Sequence, residues 1–132
     1  MPIYLMDKSY RVASPSGVAA NRVVVQGPLP GDCALPAEAN AGAILGVTVH
    51  SQPAVGRSVS VRKAGIAEVT AAGPIAAGAP VNIADATGRV KAVNEPADTR
   101  VQCVGFAETA AAAAGDVIDV FLAIHERVAT GA

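Results

Sequence analysis

Ser58-Val59-Ser60-Val61-Arg62-Lys63-Ala64-Gly65-Ile66-Ala67-Glu68-Val69-Thr70-Ala71 is the stretch that decides the fold class. From Val59 to Arg62 apolar and polar residues alternate, which places them on opposite faces of an extended chain. Lys63-Ala64-Gly65 then forms a tight corner, and a second strand follows over 66–71. The alternation recurs in Val47-Thr48-Val49-His50. Outward from here, short apolar runs set between Gly and Pro predict strands at 22–26, 44–50, 58–62, 66–71, 80–84, 89–93, 102–108 and 117–124. Asp85-Ala86-Thr87-Gly88 is a hairpin connection, with Asp starting the turn and Gly88 free to take a positive φ. The expected fold is all-β: a small β-barrel or β-sandwich-like domain with one short helix and an extended N-terminal arm.

Composition narrows the function classes. The chain has 132 residues and a mass of 13.1 kDa, enough for one domain. It is 52% hydrophobic but only 3% aromatic and 16% charged, so polar, charge-rich disorder is excluded. No apolar run approaches the ~18 residues of a membrane span. Ala accounts for 29 residues and buries little, so the 31 Val, Ile and Leu must supply most of the core. Net charge is -1, no basic stripe is readable, and stacking aromatics are nearly missing, which speaks against nucleic-acid binding. The first residues carry no secretory pattern, which predicts synthesis in a cytoplasm. Cys33 and Cys103 are expected to be separate buried thiols, not zinc ligands.

The domain is expected to divide into an arm (1–20), a β core (21–126) and a short tail (127–132). The arm holds both Tyr residues and is broken at Pro15-Ser16-Gly17. Two readings stand for it: a first edge strand docked on its own barrel, or an arm that adds a strand to a neighbouring subunit. The short helix is placed at 36–43, where Pro36 suits a first helical position and Glu38 a first turn.

An internal echo runs through the core. Gly46 and Gly56 are ten apart, as are Gly105 and Gly115. Ile44-Leu45 and Cys103-Val104 precede the first Gly of each pair, and Val59/Val61 and Ile118/Val120 follow the second. The unit is a strand, a nine-residue connection and a returning strand. The echo makes the Ala110–Ala114 run a connection, with room for one helical turn, since its counterpart contains Pro53.

No catalytic constellation is present in the pattern. No Gly-x-Ser-x-Gly elbow exists. Nothing brings Cys33 or Cys103 to His50 or His125. The glycines of Gly73-Pro74-Ile75-Ala76-Ala77-Gly78 lack a following Lys-Ser/Thr. Asp116 and Asp119, three apart in a strand, fall on opposite faces and read as solvated. The turn at 85–88 carries no Lys, against a lipoyl or biotinyl carrier. The expectation is a protein that is not an enzyme and holds no cofactor or metal.

Four stretches carry a resemblance: Val69-Thr70-Ala71-Ala72-Gly73-Pro74-Ile75-Ala76-Ala77-Gly78-Ala79-Pro80-Val81, Asp85-Ala86-Thr87-Gly88-Arg89-Val90, Val104-Gly105-Phe106-Ala107-Glu108-Thr109-Ala110-Ala111-Ala112 and Gly115-Asp116-Val117-Ile118-Asp119-Val120. Together they resemble the capsid cement, or decoration, proteins of tailed bacteriophages, most clearly over 60–124. The resemblance implies a structural protein on the outer surface of the virion capsid. Its partners would be the major capsid protein and itself, as a homotrimer, with no nucleic acid and no membrane. It would bridge capsid subunits against internal DNA pressure. It also implies an N-terminal capsid-binding arm, here Ile3, Tyr4, Leu5, Tyr10, Arg11 and Val12. The alternatives are another phage structural part, such as a head-fibre base or tail component, and a small ligand-binding barrel.

Overall fold

A computed structural model describes residues 5–131. Ten strands form two five-stranded sheets. The first sheet contains β1 (Met6–Val12), β2 (Val23–Gln26), β3 (Asp32–Ala34), β4 (Ile44–Thr48) and β5 (Ser58–Ala64). It closes into a barrel in the order β1-β3-β2-β4-β5, with β1 antiparallel to β5 and parallel to β3. The second contains β6 (Ile66–Thr70), β7 (Pro80–Ile83), β8 (Val90–Ala92), β9 (Arg100–Ala107) and β10 (Val117–Val128), in the order β6-β10-β9-β7-β8. Gly65 is the corner at which the chain leaves one sheet for the other: its φ of 93° is natural for Gly and costly for a residue with a Cβ.

The two sheets are two copies of one unit. Val47 pairs with Arg62, and 59 positions later Phe106 pairs with Phe121. Tyr10 pairs with Val59 as Val69 does with Ile118. Gln26 opposes Cys33 as Ile83 opposes Val90, here 57 positions on. Even the register shift between Val24 and Val25 returns between Val81 and Asn82. The echoing glycines have a common cause. A Cβ on Gly46 would lie 2.1 Å from the Arg62 carbonyl oxygen, and one on Gly105 2.0 Å from that of Phe121. At each place two strands approach too closely for any other residue.

Inside the first barrel lie Tyr10, Val12, Val18, Val24, Cys33, Val59 and Val61. Their counterparts, Val69, Ala71, Ile75, Val81, Val90, Ile118 and Val120, fill the hollow of the second sheet, an incompletely closed barrel. Period-two alternation sends these side chains inward. Each fully buried Val or Ile contributes roughly 1.5–3 kcal/mol.

The copies differ at one seam. In the first barrel the Arg11 N–H donates to the Gly31 carbonyl at 2.9 Å, which helps to join β1 to β3. In the second, β6 and β8 meet only at the bridge between Ala71 and Val90. Residues Asn21 to Val23 of the first barrel wedge into the gap. The Thr70 N–H donates to Asn21 O at 3.0 Å, and the Val23 N–H donates to Gly88 O at 2.8 Å. Val23 and Val47 therefore join the second barrel's core cluster. One barrel completes the other, and the pair behaves as a single packed body.

Four expectations need correction. No helix occurs among the described residues, and 36–43 is a run of bends and turns. Asn40 and Ala43 take φ of 56°, which no helix admits. From Met6 to Val12 the expected arm is a strand of the chain's own barrel. The tail is structured at its start: β10 runs to Val128, and Ala129 is buried against Val101 and Cys103. Asp116 is not merely solvated, since its carboxylate accepts the N–H groups of Ala112 and Ala113 at 2.9 and 3.1 Å and shapes that turn. The Ala run is a connection, as expected, held by Ala111 bridging Ile75.

Candidate interaction surfaces

The residues proposed for the arm separate by strand alternation. Ile3 and Tyr4 lie outside the described residues. Leu5 is exposed. Tyr10 and Val12 face the barrel interior, and the Tyr10 hydroxyl accepts a hydrogen bond from Lys63 Nζ at 2.7 Å. Lys8 and Lys63 also lie 5.2 and 5.0 Å from the centre of the Tyr10 ring. Both side chains are core components, so neither can present itself to a partner. Arg11 points outward, with its guanidinium on the buried Asp32 carboxylate at 2.8 Å. The outer face of the strand carries Asp7, Ser9 and Arg11, whereas Leu5, Met6 and Lys8 are exposed at its start, Lys8 on the face it shares with Tyr10.

A second surface escaped sequence reading. Phe106 and Phe121, the chain's only two Phe residues, face outward directly opposite each other on β9 and β10. Ile66 continues the row on β6 and Pro80 on β7. Phe121 is 47% exposed. The His125 ring stacks on Phe106 at 5.2 Å between centroids, and the Arg127 guanidinium lies 5.8 Å from the Phe106 ring centre. Apart from Tyr10, both cores are filled by smaller side chains, and the two Phe rings are left to the outer face. The missed signal was the register: once Gly46 and Gly105 are aligned, Phe106 and Phe121 must face each other.

The row's counterpart on the first barrel is Asp7, Arg62, Val47 and Val23, and there all but Asp7 is covered or half-covered. Val23 and Val47 are fully buried under the second barrel. Arg62 grips Asp7 through two hydrogen bonds, at 2.9 and 3.2 Å, and donates to the Ile66 carbonyl at 3.3 Å. The hydrogen bond from Arg62 holds the Asp7 carboxyl below its ordinary range, against the smaller opposing effect of burial.

The remaining titratable groups are structural. Burial pushes the Glu95 carboxyl up, but hydrogen bonds from Lys91, Asn82 and the Asn94 N–H outweigh it and leave it lowered. At the 85–88 turn burial likewise opposes, and bonds from Thr87 and Arg89 prevail, so Asp85 is lowered too. Cys33 and Cys103 are free, buried in separate clusters, and raised chiefly by burial, which makes them poor nucleophiles. His50 accepts the Ser60 N–H, and His125 lies on Phe106. Among the described residues no group of three or more His, Cys, Asp or Glu could hold a metal ion.

Comparison with known proteins agrees with the surfaces in pointing to assembly. The phage cement protein family matches residues 7–122. No curated protein matches the chain. Among solved structures, the N base of the head fiber protein gp8.5 of bacteriophage phi29 shares the fold. Its TM-score is 0.63 at 19% identity, over 89% of this chain and 95% of that one. The match to the cement family spans both barrels and the joint between them, and so this chain belongs to the phage cement proteins, with a structural role on the phage capsid.

Proposed function

We propose that the chain sits on the outer surface of a phage head as a homotrimer, contacts the major capsid protein, and bridges its subunits against the pressure of packaged DNA. Family membership over residues 7–122 carries this reading. The physical logic is multivalency: a trimer engages several capsid subunits at once, so modest individual contacts add up to durable binding. Short side chains on the surface, many of them Ala, cost little entropy when a partner orders them. The barrels, filled by their own side chains, serve on this reading as a scaffold. On this reading β1, with Arg11 on its outer face and Leu5 and Lys8 exposed at its start, is the part of the proposed arm that meets the capsid.

Imaging of the assembled particle tests the proposal directly. The expected result is density for this chain on the outside of the head, bridging capsid subunits at three-fold or quasi-three-fold positions. Purified protein should bind expanded capsids and raise their resistance to heat. Location inside the head or in the tail would overturn the reading. The likeness to a head-fiber base favours a second reading, a base on which a fibre is mounted. Fibre density continuing outward from the chain would distinguish it.

A further inference from the structure

We propose that copies of this chain associate head to tail, the row Ile66–Phe121–Phe106–Pro80 of one copy's second barrel resting on the β1 and Leu29–Gly31 side of the next copy's first barrel. The inference rests on the self-association in the reading above and names its surfaces.

The internal repeat supplies the argument. Each barrel has a flank and a seam side. Within one chain the flank of the first barrel (Arg62, Val47, Val23) meets the seam side of the second, which consists of β6 and the turn at Gly88. Among the described residues no other strand covers the counterparts of these two surfaces; on Phe106 lie only the His125 ring and the Arg127 guanidinium. The flank of the second barrel carries Phe121 in place of Arg62 and Phe106 in place of Val47. The seam side of the first barrel carries the Gly31 turn in place of the Gly88 turn. A Cβ on Gly88 would lie 2.5 Å from the Val23 carbonyl oxygen, whereas one on Gly31 would meet nothing within 4 Å. Leu29 in that turn is 56% exposed, and Met6 on β1 is 53% exposed. Phe121 on one side and Leu29 and Met6 on the other thus leave exposed apolar groups on both of the surfaces that a second use of the interface would join.

The backbone part of the internal contact cannot be repeated. Pro80 stands where Val23 donates its N–H, and Pro has no N–H to give. On the receiving side the Arg11 N–H, counterpart of the Thr70 N–H, is already donated to Gly31 O. Contact between copies is therefore made by side chains alone, which explains why the outer flank carries Phe where the inner one carries Val and Arg. An exposed aromatic pair is the composition expected of an interface anchor. The two surfaces differ, so the contact is heterologous, a ring-forming or chain-forming type in which each copy uses both faces once.

Two substitutions test this. Phe121→Lys keeps a long side chain beside Asp119 and Glu68 on its own sheet but brings a positive charge towards Arg11 of the next copy. Leu29→Lys alters the other face, in an exposed turn. Unchanged circular dichroism and melting show that each variant folds. In sedimentation velocity the unaltered chain is expected to associate, and each variant alone to associate tenfold or more less tightly, since each removes an interface anchor. An equimolar mixture of the two variants is expected to form dimers and nothing larger, because each pair then has one intact contact. An unaltered chain that stays monomeric overturns both this inference and the homotrimer. Association in the unaltered chain that survives Phe121→Lys or Leu29→Lys, or a mixture that gives no dimers, overturns the head-to-tail arrangement alone.

Discussion

Gly31 and Gly88 offer a controlled test of how the barrels are joined. They occupy corresponding turns with nearly the same backbone, φ of 85° and 81°. An Ala at either site pays for a left-handed conformation, roughly 1–2 kcal/mol. Loss of chain freedom in the unfolded state returns about 0.4–1 kcal/mol of that. Gly31→Ala should therefore cost about 1 kcal/mol. Gly88→Ala carries a further term, because its Cβ would lie 2.5 Å from Val23 O and 3.1 Å from Arg22 Cβ. Backbone must move there, and the wedge of Asn21 to Val23 in the seam must move with it. Overpacking of this kind typically costs about 1–3 kcal/mol. Urea unfolding reads the difference directly. With a slope of about 2 kcal/mol per molar, the Gly88 variant's midpoint should fall roughly 0.5–1.5 M below that of the Gly31 variant. Equal midpoints would show that the Gly88 turn does not bear on Val23, and the description of the joint would fail.

Other outcomes follow from the same contacts. Removing residues 2–20 should unfold the first barrel as well as abolish capsid binding, because β1 supplies Tyr10 and Val12; loss of native dichroism in the truncated chain checks it. Ile118→Ala and Val59→Ala empty corresponding core sites, and Ile118→Ala should cost about 2–5 kcal/mol in denaturant unfolding, the Val59 change less. Glu95 is lowered in the folded state, so its stabilisation is present above the ordinary Glu value of 4.5 and is lost as pH falls through the folded value. Glu95→Gln should then flatten the acid limb of a stability–pH curve below pH 4.5, at some cost in stability near neutrality. Both thiols should react with an aromatic disulfide reagent only as fast as the protein opens, with a large acceleration in denaturant.

The legible part of the fold is the part written in alternation. Val59 and Val61 point inward because Ser60 and Arg62 cannot, and residues of this kind gave eight strands near their observed positions. β3 was not legible: Asp32-Cys33-Ala34 is too short for a period to register. The helix expected at 36–43 failed for a tertiary reason. Asn40 donates its N–H to Ile83 O and accepts the Gln102 N–H, and that docking sets its left-handed backbone. In β1 the alternation of Tyr10, Arg11 and Val12 was visible, but which barrel it entered was not. The site was half legible in the same way. Arg11 and Leu5 are outward, whereas the Phe row depends on a register that no local stretch contains.

The wedge at the seam also sets an order of events in folding. The second barrel cannot finish until Asn21 to Val23 has been delivered to the gap between β6 and β8, and that segment is held by pairing with β4. Closure of the second barrel is thus a long-range step, about 50 residues across from Asn21 to Thr70, and belongs late in folding. The two halves are consequently expected to unfold in one transition despite their matching architecture. A chain beginning at Ile66 would expose two unpaired strand edges, the usual template for aggregation. Repeating the unit would by itself give two independent beads; the displaced hydrogen bonds of one seam tie them together.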